Sequence, residues 1–423
     1  MLERVPLLEK NLSDYAEVVE PGTIERIREL AAPLAGARVL HVNATAYGGG
    51  VAELLATHVP LLRAAGLEAD WQVMRGTDEF FHVTKSAHNA LQGADIEWDL
   101  RDERVYLERT VDNATALEGE YDFVVLHDPQ PVAIREFVRG HRFDNNGAKW
   151  IWRCHIDLTD ANPRVWEFFR PYVEQYDVSV WTMPSFVPES LEMDRVVQAP
   201  PCIDPLSVKN LDLAQPFVDE MCRSYGVDPG RPIMCQVSRF DPWKDPVGVI
   251  EAFRIAREEV PGLQLILAGS MATDDPEGFH YWELCEEARA GDRDVFLLSN
   301  LQQVGAVQIN AFQRAAGVVV QKSLREGFGL TVSEALWKGR PVVGGRRGGI
   351  TLQIEDGVSG YLVDSVDECA ARCVEILSDA ETARRFGTAG HEHVRREFLS
   401  TRGARGLAAS LQRPERHRVR SWR

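Results

Sequence analysis

The run Ala315-Ala-Gly-Val-Val-Val-Gln321, followed by Glu326-Gly-Phe-Gly-Leu-Thr-Val-Ser-Glu334, decides how the rest of the chain is read. The first segment has the apolar, β-branched character of a buried strand. The second turns on Gly327 and Gly329 and enters a helix through Ala335, Leu336 and Trp337. Without Cβ atoms the two glycines let the chain bend sharply and let a ligand approach the backbone closely. The first amides of the helix are then left unpaired at the positive end of its dipole, which suits a phosphate. Glu326 stands at the mouth of this turn and Glu334 one or two helical turns in, so carboxylates flank an anion-binding helix end. Hydroxyls on either side of a diphosphate, as in a sugar nucleotide, meet those requirements. Strand, glycine turn and helix recur throughout α/β proteins, however, and the weight of the stretch comes from its surroundings.

The chain has 423 residues, more than one ordinary core accommodates, so two or three domains are expected. Hydrophobic residues make up 44% and charged residues 26%, the balance of a water-soluble enzyme. A formal charge of −17 argues against a general nucleic-acid binder or a partner of anionic membranes. An anionic ligand must therefore meet a local cluster of cations. No apolar run reaches the length of a membrane span, the start is no signal peptide, and the seven scattered cysteines lack any Cys-x-x-Cys. A cytoplasmic setting is expected. Asn43 and Asn113 match glycosylation acceptors that have no meaning without secretion, and Cys369 and Cys373 share a helix face as core residues.

Outward from the opening stretch, strands alternate with helices in both halves. The first half reads as strands at 38–43, 69–74, 123–127, 149–154 and 178–181. The strand Arg38 to Asn43 leads into Tyr47-Gly48-Gly49-Gly50 and then an apolar helical stripe, a second place where amides can face a phosphate or a sugar. It is neither a dinucleotide fingerprint nor a Walker loop, and the glycines also suit a purely structural turn. Two strand exits are rich in chemistry: His127-Asp128-Pro129-Gln130 and Arg153-Cys154-His155-Ile156-Asp157. Ligands of open parallel sheets bind beyond the carboxyl ends of the strands, so these residues are candidates. A hydrogen-bonded structural histidine remains the plain alternative for His155.

Three prolines within Ala199 to Pro205 mark a linker. Beyond it strands are expected at 232–237, 263–268, 295–298, 317–321 and 341–343, a doubly wound sheet built a second time. Arg239 and Lys244 share the loop after the first of these strands, where they can supply positive charge to a departing diphosphate. The Asp292-Arg293-Asp294 segment precedes a strand and lies at the wrong end of the sheet for a metal-bound ligand. No metal site is expected.

Two Rossmann-like halves, a proline linker, the Arg239–Lys244 loop and the Glu326–Glu334 helix together resemble the retaining glycosyltransferases of family 4, over nearly the whole chain. Asn43 to Glu53, His127 to Gln130 and Trp152 to Asp157 look in detail like trehalose glycosyltransferring synthases and their relatives, the retaining trehalose phosphorylases. The resemblance implies an α/β GT-B fold, with two doubly wound parallel-sheet domains facing across a cleft. Residues 1–203 would form the acceptor-side domain and 204–394 the nucleotide-sugar-binding domain, with 395–423 packing back toward the first. The implied activity is reversible transfer of α-glucose from a nucleoside-diphosphate glucose, such as UDP-glucose or ADP-glucose, to free glucose, giving α,α-trehalose.

On this resemblance Glu326, Arg239, Lys244 and His155 carry catalysis. Gly49, Gly50, Arg239, Lys244, Glu326, Gly327, Phe328, Gly329, Leu330 and Glu334 hold the nucleotide sugar. Tyr47, Gly48, Asp128, Gln130, Arg153 and Asp157 serve the acceptor. No tightly bound cofactor is implied; free Mg²⁺ is left as an optional stimulant and a homodimer as an optional assembly. The partners are glucose, nucleoside-diphosphate glucose and trehalose, with no nucleic acid and no membrane. A phosphorylase using orthophosphate and a non-catalytic sugar-nucleotide or trehalose sensor are the alternatives. Two departures stand out: Arg346-Arg347 ahead of Gly348, and a tail from Arg402 to Arg423 with seven arginines, interrupted by Pro414 and expected to be loose over its last ten residues.

Overall fold

The computed structural model describes residues 2–47, 49–138, 143, 147–271, 276–403 and 406. The chain forms two compact units, one of Met1–Pro201 with the segment from Ser400, the other of Cys202–Leu399. The first contains strands β1 (Glu3–Arg4), β2 (Arg38–Asn43), β3 (Glu68–Val73), β4 (Phe123–His127), β5 (Lys149–Arg153), β6 (Val178–Trp181) and β7 (Val196–Gln198). They lie in the order β1-β3-β2-β4-β5-β6-β7, all parallel except β1, which runs antiparallel to β3. The second contains β8 (Ile233–Val237), β9 (Gln264–Gly269), β10 (Val295–Ser299), β11 (Val318–Gln321), β12 (Val342–Gly345) and β13 (Gly360–Val363). Their order, β10-β9-β8-β11-β12-β13, is fully parallel.

In both sheets the winding reverses once, between β2 and β4 and between β8 and β11. Neighbouring crossovers then leave toward opposite faces, and the carboxyl ends of the two strands border an open crevice. The strands are continuous apolar runs because helices cover both faces. Period-two alternation divides β2, β4 and β5 between two cores. Leu40, Val42, Val124, Leu126, Trp150 and Trp152 enter an aromatic-rich core with Trp98, Trp181 and Phe169. Val39, Val125 and Ile151 join Leu55, Val59 and Trp71 on the other face. In the second unit Met234, Leu265, Val318, Val320 and Val343 pack with Phe253, Cys369 and Cys373.

Three strands lack an apolar run long enough to be read from sequence. β1 is a two-residue, exposed edge, β7 a three-residue, half-buried edge, and β13 opens on a glycine. At Gly360 a Cβ would run into the carbonyl of Val342, so close strand approach excludes a side chain there. Among the described residues no helix is long and apolar enough to cross a membrane. The Pro414 region of the tail lies outside the described residues.

Candidate active site

In the second unit the chain leaves β8 and β11, strands paired side by side, through loops 238–245 and 322–329. Contacts between the loops hold them together. The amide of Leu324 donates to the carbonyl of Trp243 at 2.8 Å, and the Arg325 guanidinium lies over the Trp243 ring at 5.7 Å. The Lys322 ammonium pairs with the Asp245 carboxylate. Asp241 caps the short turn Pro242–Lys244 by accepting from the Lys244 amide at 3.1 Å, and Gln236 Nε2 donates to the Lys244 carbonyl at 2.8 Å. These bonds fix the Lys244 backbone, and its Nζ meets Glu326 Oε2 at 2.6 Å. The Ser323 hydroxyl donates to the same oxygen at 3.1 Å. Arg239 lies on the same loop, half exposed, with Nη2 at 3.1 Å from Asp241 Oδ2.

Gly329, at φ 79°, caps the helix Leu330–Trp337 in the left-handed region, where a side chain would be strained. A Cβ there would also press on the Glu326 carboxyl at 3.2 Å. Gly349 lets a neighbouring loop rest on Phe328 and Gly327, since a Cβ would meet Phe328 Cα at 2.5 Å. Phe328 is buried against Phe398 rather than open to a ligand. Glu334 is fully buried. The Lys209 ammonium stands 3.1 Å from its Oε1, yet neither carboxylate oxygen has a hydrogen-bonding partner among the described residues. The contact is a charge pair without hydrogen-bond geometry, and the carboxylate keeps its acceptor capacity.

In the first unit β2, β4 and β5 carry His41, His127 and Arg153 on the face of Val39, Val125 and Ile151. His155 lies two residues past Arg153. Asp128 follows β4 at φ 66°, an uncommon conformation for a residue with a side chain. Its Oδ1 accepts from the His155 amide at 2.8 Å, and its carbonyl accepts from Trp152 Nε1 at 2.9 Å. Burial raises the Asp128 carboxyl to about 7 against the pull of that amide and of Arg153. Burial pushes the His41 imidazole down to about 3 and His58 to about 4, and holds His127 and His155 well below the ordinary histidine range.

The sequence-derived candidates therefore fall into groups. Lys244 and Glu326 meet, with Arg239 on the same loop and Gly327, Phe328, Gly329 and Leu330 on the adjoining turn. Glu334 pairs elsewhere, with Lys209. His155 and Asp128 meet just past β5 and β4, beside Arg153 at the end of β5, whereas Asp157 is engaged by the Thr159 amide at 2.9 Å. Gln130 is half-buried and makes no side-chain hydrogen bond among the described residues, and Tyr47 is 79% exposed. Gly48 lies outside the described residues; Gly49 is extended and Gly50 begins a helix.

Several partners escaped sequence reading: Lys209, Asp241, Asp245, Lys322, Ser323 and His41. All but Lys209 and His41 stand at strand exits, the one signal that could have found them. Arg346 pairs with Asp356 and Asp364, and Arg347 with Asp364, so both arginines belong to an exposed ion-pair group. Asp292 and Asp294 pair with Arg257 and Arg231. Among the described residues no three His, Cys, Asp or Glu side chains cluster as metal ligands.

Comparison with known proteins fits this arrangement. Residues 41–188 match the family "Trehalose synthase, N-terminal domain", and residues 218–393 match "Glycosyl transferases group 1". A trehalose synthase of Rubrobacter xylanophilus is 51% identical over 405 residues, 95% of this chain and 96% of that protein. One from Pyrococcus horikoshii is 44% identical over 395 residues, 93% and 94% of the two chains. The solved trehalose-6-phosphate synthase OtsA superposes with a TM-score of 0.73 at 14% identity, covering 90% of this chain and all of that one, which establishes the GT-B fold. The chain belongs to the trehalose synthase family and is a glycosyltransferase enzyme.

Proposed function

We propose that the protein transfers α-glucose from a nucleoside-diphosphate glucose to the anomeric hydroxyl of free glucose, reversibly, giving α,α-trehalose with retention. The observation that carries this reading is the Lys244–Glu326 contact at the carboxyl ends of β8 and β11, where the winding of the sheet reverses. A diphosphate placed there meets Lys244, Arg239 and the amides that open the helix Leu330–Trp337. Glu326 takes hydroxyls of the transferred sugar. Glu334 has acceptor capacity for ribose hydroxyls, provided the Lys209 ammonium gives way to them.

In the reaction the bond from C1 of the donor sugar to the phosphate oxygen breaks, and a bond from C1 to the acceptor oxygen forms on the same face. The acceptor proton passes to the departing phosphate oxygen. Retaining glycosidases place a carboxylate nucleophile at this point. On this reading Glu326 is given to hydroxyls of the transferred sugar and Glu334 to the ribose, so no carboxylate is assigned as a nucleophile and the substitution proceeds without a covalent enzyme intermediate. Protein cations and amides stabilise the developing phosphate charge, and the fold orients the reactants. On the same reading Gly49 and Gly50 serve the nucleotide sugar, Tyr47, Asp128, Gln130, Arg153 and Asp157 serve the acceptor, and His155 meets a sugar hydroxyl.

The test is incubation with glucose and, in turn, UDP-glucose, ADP-glucose and other nucleoside-diphosphate glucoses. A non-reducing disaccharide is expected. In reverse, trehalose with a nucleoside diphosphate should release nucleoside-diphosphate glucose. Cleavage supported by orthophosphate alone would assign the phosphorylase activity instead, and nucleotide binding without turnover would indicate a sensor.

A further inference from the structure

His41, His127 and His155 form an unbroken chain of imidazoles. His41 Nδ1 lies 3.0 Å from His127 Nε2, and His127 Nδ1 lies 3.0 Å from His155 Nε2. The rings of His127 and His155 stack with centroids 5.3 Å apart and planes 17° from parallel. The arrangement follows from strand register. His41 pairs across the ladder with Val125, two residues before His127, and His127 pairs with Arg153, two residues before His155. Each step moves one strand across the sheet and one side chain toward its carboxyl edge, keeping to one face.

A neutral imidazole donates from one nitrogen and accepts at the other, so the chain has two proton registers. In one, His155 Nε2–H donates to His127, His127 Nε2–H donates to His41, and the last proton sits on His41 Nε2. In the other, His41 Nδ1–H donates to His127, His127 Nδ1–H donates to His155, and the last proton sits on His155 Nδ1. His41 Nε2 is buried and has no hydrogen-bonding partner among the described residues. The first register strands an N–H in that position, and orphaned buried N–H groups are rarer than unfilled acceptors. The second leaves only a bare lone pair there. Burial supports the neutral state of all three rings. His155 is half-buried, and its Nδ1 bonds to nothing among the described residues.

We propose that His41 and His127 are positioning residues that lock His155 as the Nδ1-protonated tautomer, so that its open nitrogen donates to, and does not accept from, a sugar oxygen. That His155 meets a sugar rests on the function proposed above; the tautomer does not. Accepting a hydrogen bond at Nε2 polarises the ring and strengthens the Nδ1–H donor, since linked hydrogen bonds reinforce one another.

The experiment is a long-range ¹H–¹⁵N correlation spectrum of the full chain labelled with ¹⁵N at histidine, with the His155 signals assigned by their loss in His155→Gln. Wild type should show His155 Nδ1 protonated and Nε2 unprotonated. His127→Leu should release this preference, and His127→Asn, whose amide N–H replaces Nδ1–H, should restore it. In trehalose formation His127→Leu should lose about tenfold in turnover at saturating substrate, with His127→Asn recovering most of it. An Nε2-protonated or mixed His155 in wild type overturns the proposal, as does a His155 tautomer unchanged in His127→Leu. If His127→Leu does not fold, wild type and His127→Asn still decide it. Absence of any disaccharide with a locked Nδ1–H tautomer would refute the functional reading and leave the relay standing.

Discussion

Replacing Lys244 by methionine keeps most of the side-chain volume and removes one charge. At 2.6 Å the pair it forms with Glu326 has a gross attraction of roughly 6 kcal/mol at an effective dielectric constant of 20. Desolvation cancels much of that, and the Lys244 side chain keeps 17% of its exposure. The net stability loss should therefore be about 1–3 kcal/mol, mainly the cost of leaving Glu326, 7% exposed, with the Ser323 hydroxyl alone. Catalysis should suffer more. If Lys244 meets charge that develops on the leaving phosphate, turnover should fall about 10²–10³-fold while the donor KM changes by less than about tenfold. Steady-state rates of disaccharide formation across donor concentrations, with urea unfolding of the same preparations, measure both. Lys244→Met with Glu326→Gln should recover stability, because no unpaired carboxylate remains, but not turnover. A single variant with raised donor KM and unchanged kcat would refute the transition-state role.

Lys209→Met should destabilise the second unit by about 3 kcal/mol in urea unfolding, because it leaves the fully buried Glu334 carboxylate without its cation, and adding Glu334→Gln should recover most of that loss. Gly49→Ala should leave stability within about 0.5 kcal/mol, since the residue is extended and a Cβ meets no atom within 4 Å, yet lower trehalose formation if a ligand fills that space. Gly329→Ala should cost about 1–2 kcal/mol at its positive φ before any effect on activity. Below pH 6.5 the unfolded chain protonates histidines that His41, at about 3, and His58, at about 4, keep neutral when folded; their stabilisation is complete above pH 6.5 and is lost as pH falls toward those values. Asp128, raised to about 7, works oppositely, its contribution complete below about pH 3.8 and lost as pH rises through 7. Two histidines against one aspartate leave a net fall of about 1.4 kcal/mol per pH unit between pH 6.5 and 5, steepened by His127 and His155. Tryptophan-monitored unfolding across that range checks it, and flat or rising stability on acidification would contradict it.

The ten strands legible in sequence are those with apolar runs covered on both faces, such as Val318–Gln321. Their loops are legible as well, because in a parallel sheet chemistry collects past the carboxyl ends; that rule marks Asp128 and His155, joins charge to mark Arg239 and Lys244, and joins the glycine turn and helix start to mark Glu326. Partner choice was not legible. Nothing in the sequence pairs Lys244 with Glu326 and leaves Glu334 to Lys209, since the four residues are brought together by strand order and by a segment beyond the proline run. The same holds for the histidine chain. His41 sits inside a strand and gives no sign of function until the register sets it diagonally behind His127.

The charges at the β8–β11 loops bear on how so acidic a chain can hold a diphosphate. Lys244, Arg239 and Lys322 contact Glu326, Asp241 and Asp245 respectively, so the three cations are locally balanced. Balanced charges avoid the mutual repulsion that unpaired cations would impose on a half-buried site. They also keep Lys244 and Arg239 in place rather than extended into solvent. On the proposed reading, a diphosphate enters by exchanging partners: its oxygens take the ammonium and guanidinium, and the released Glu326 carboxylate turns to sugar hydroxyls. Each cation trades one anion for another, so the exchange costs little desolvation, whereas a neutral sugar without the diphosphate gives Lys244 nothing in return for Glu326. Specificity for a phosphorylated donor then arises from the pairing itself. Glu326→Gln, which frees Lys244 in advance and removes the competing carboxylate, should tighten nucleoside-diphosphate binding while turnover falls, and unchanged or weaker diphosphate binding would refute the exchange.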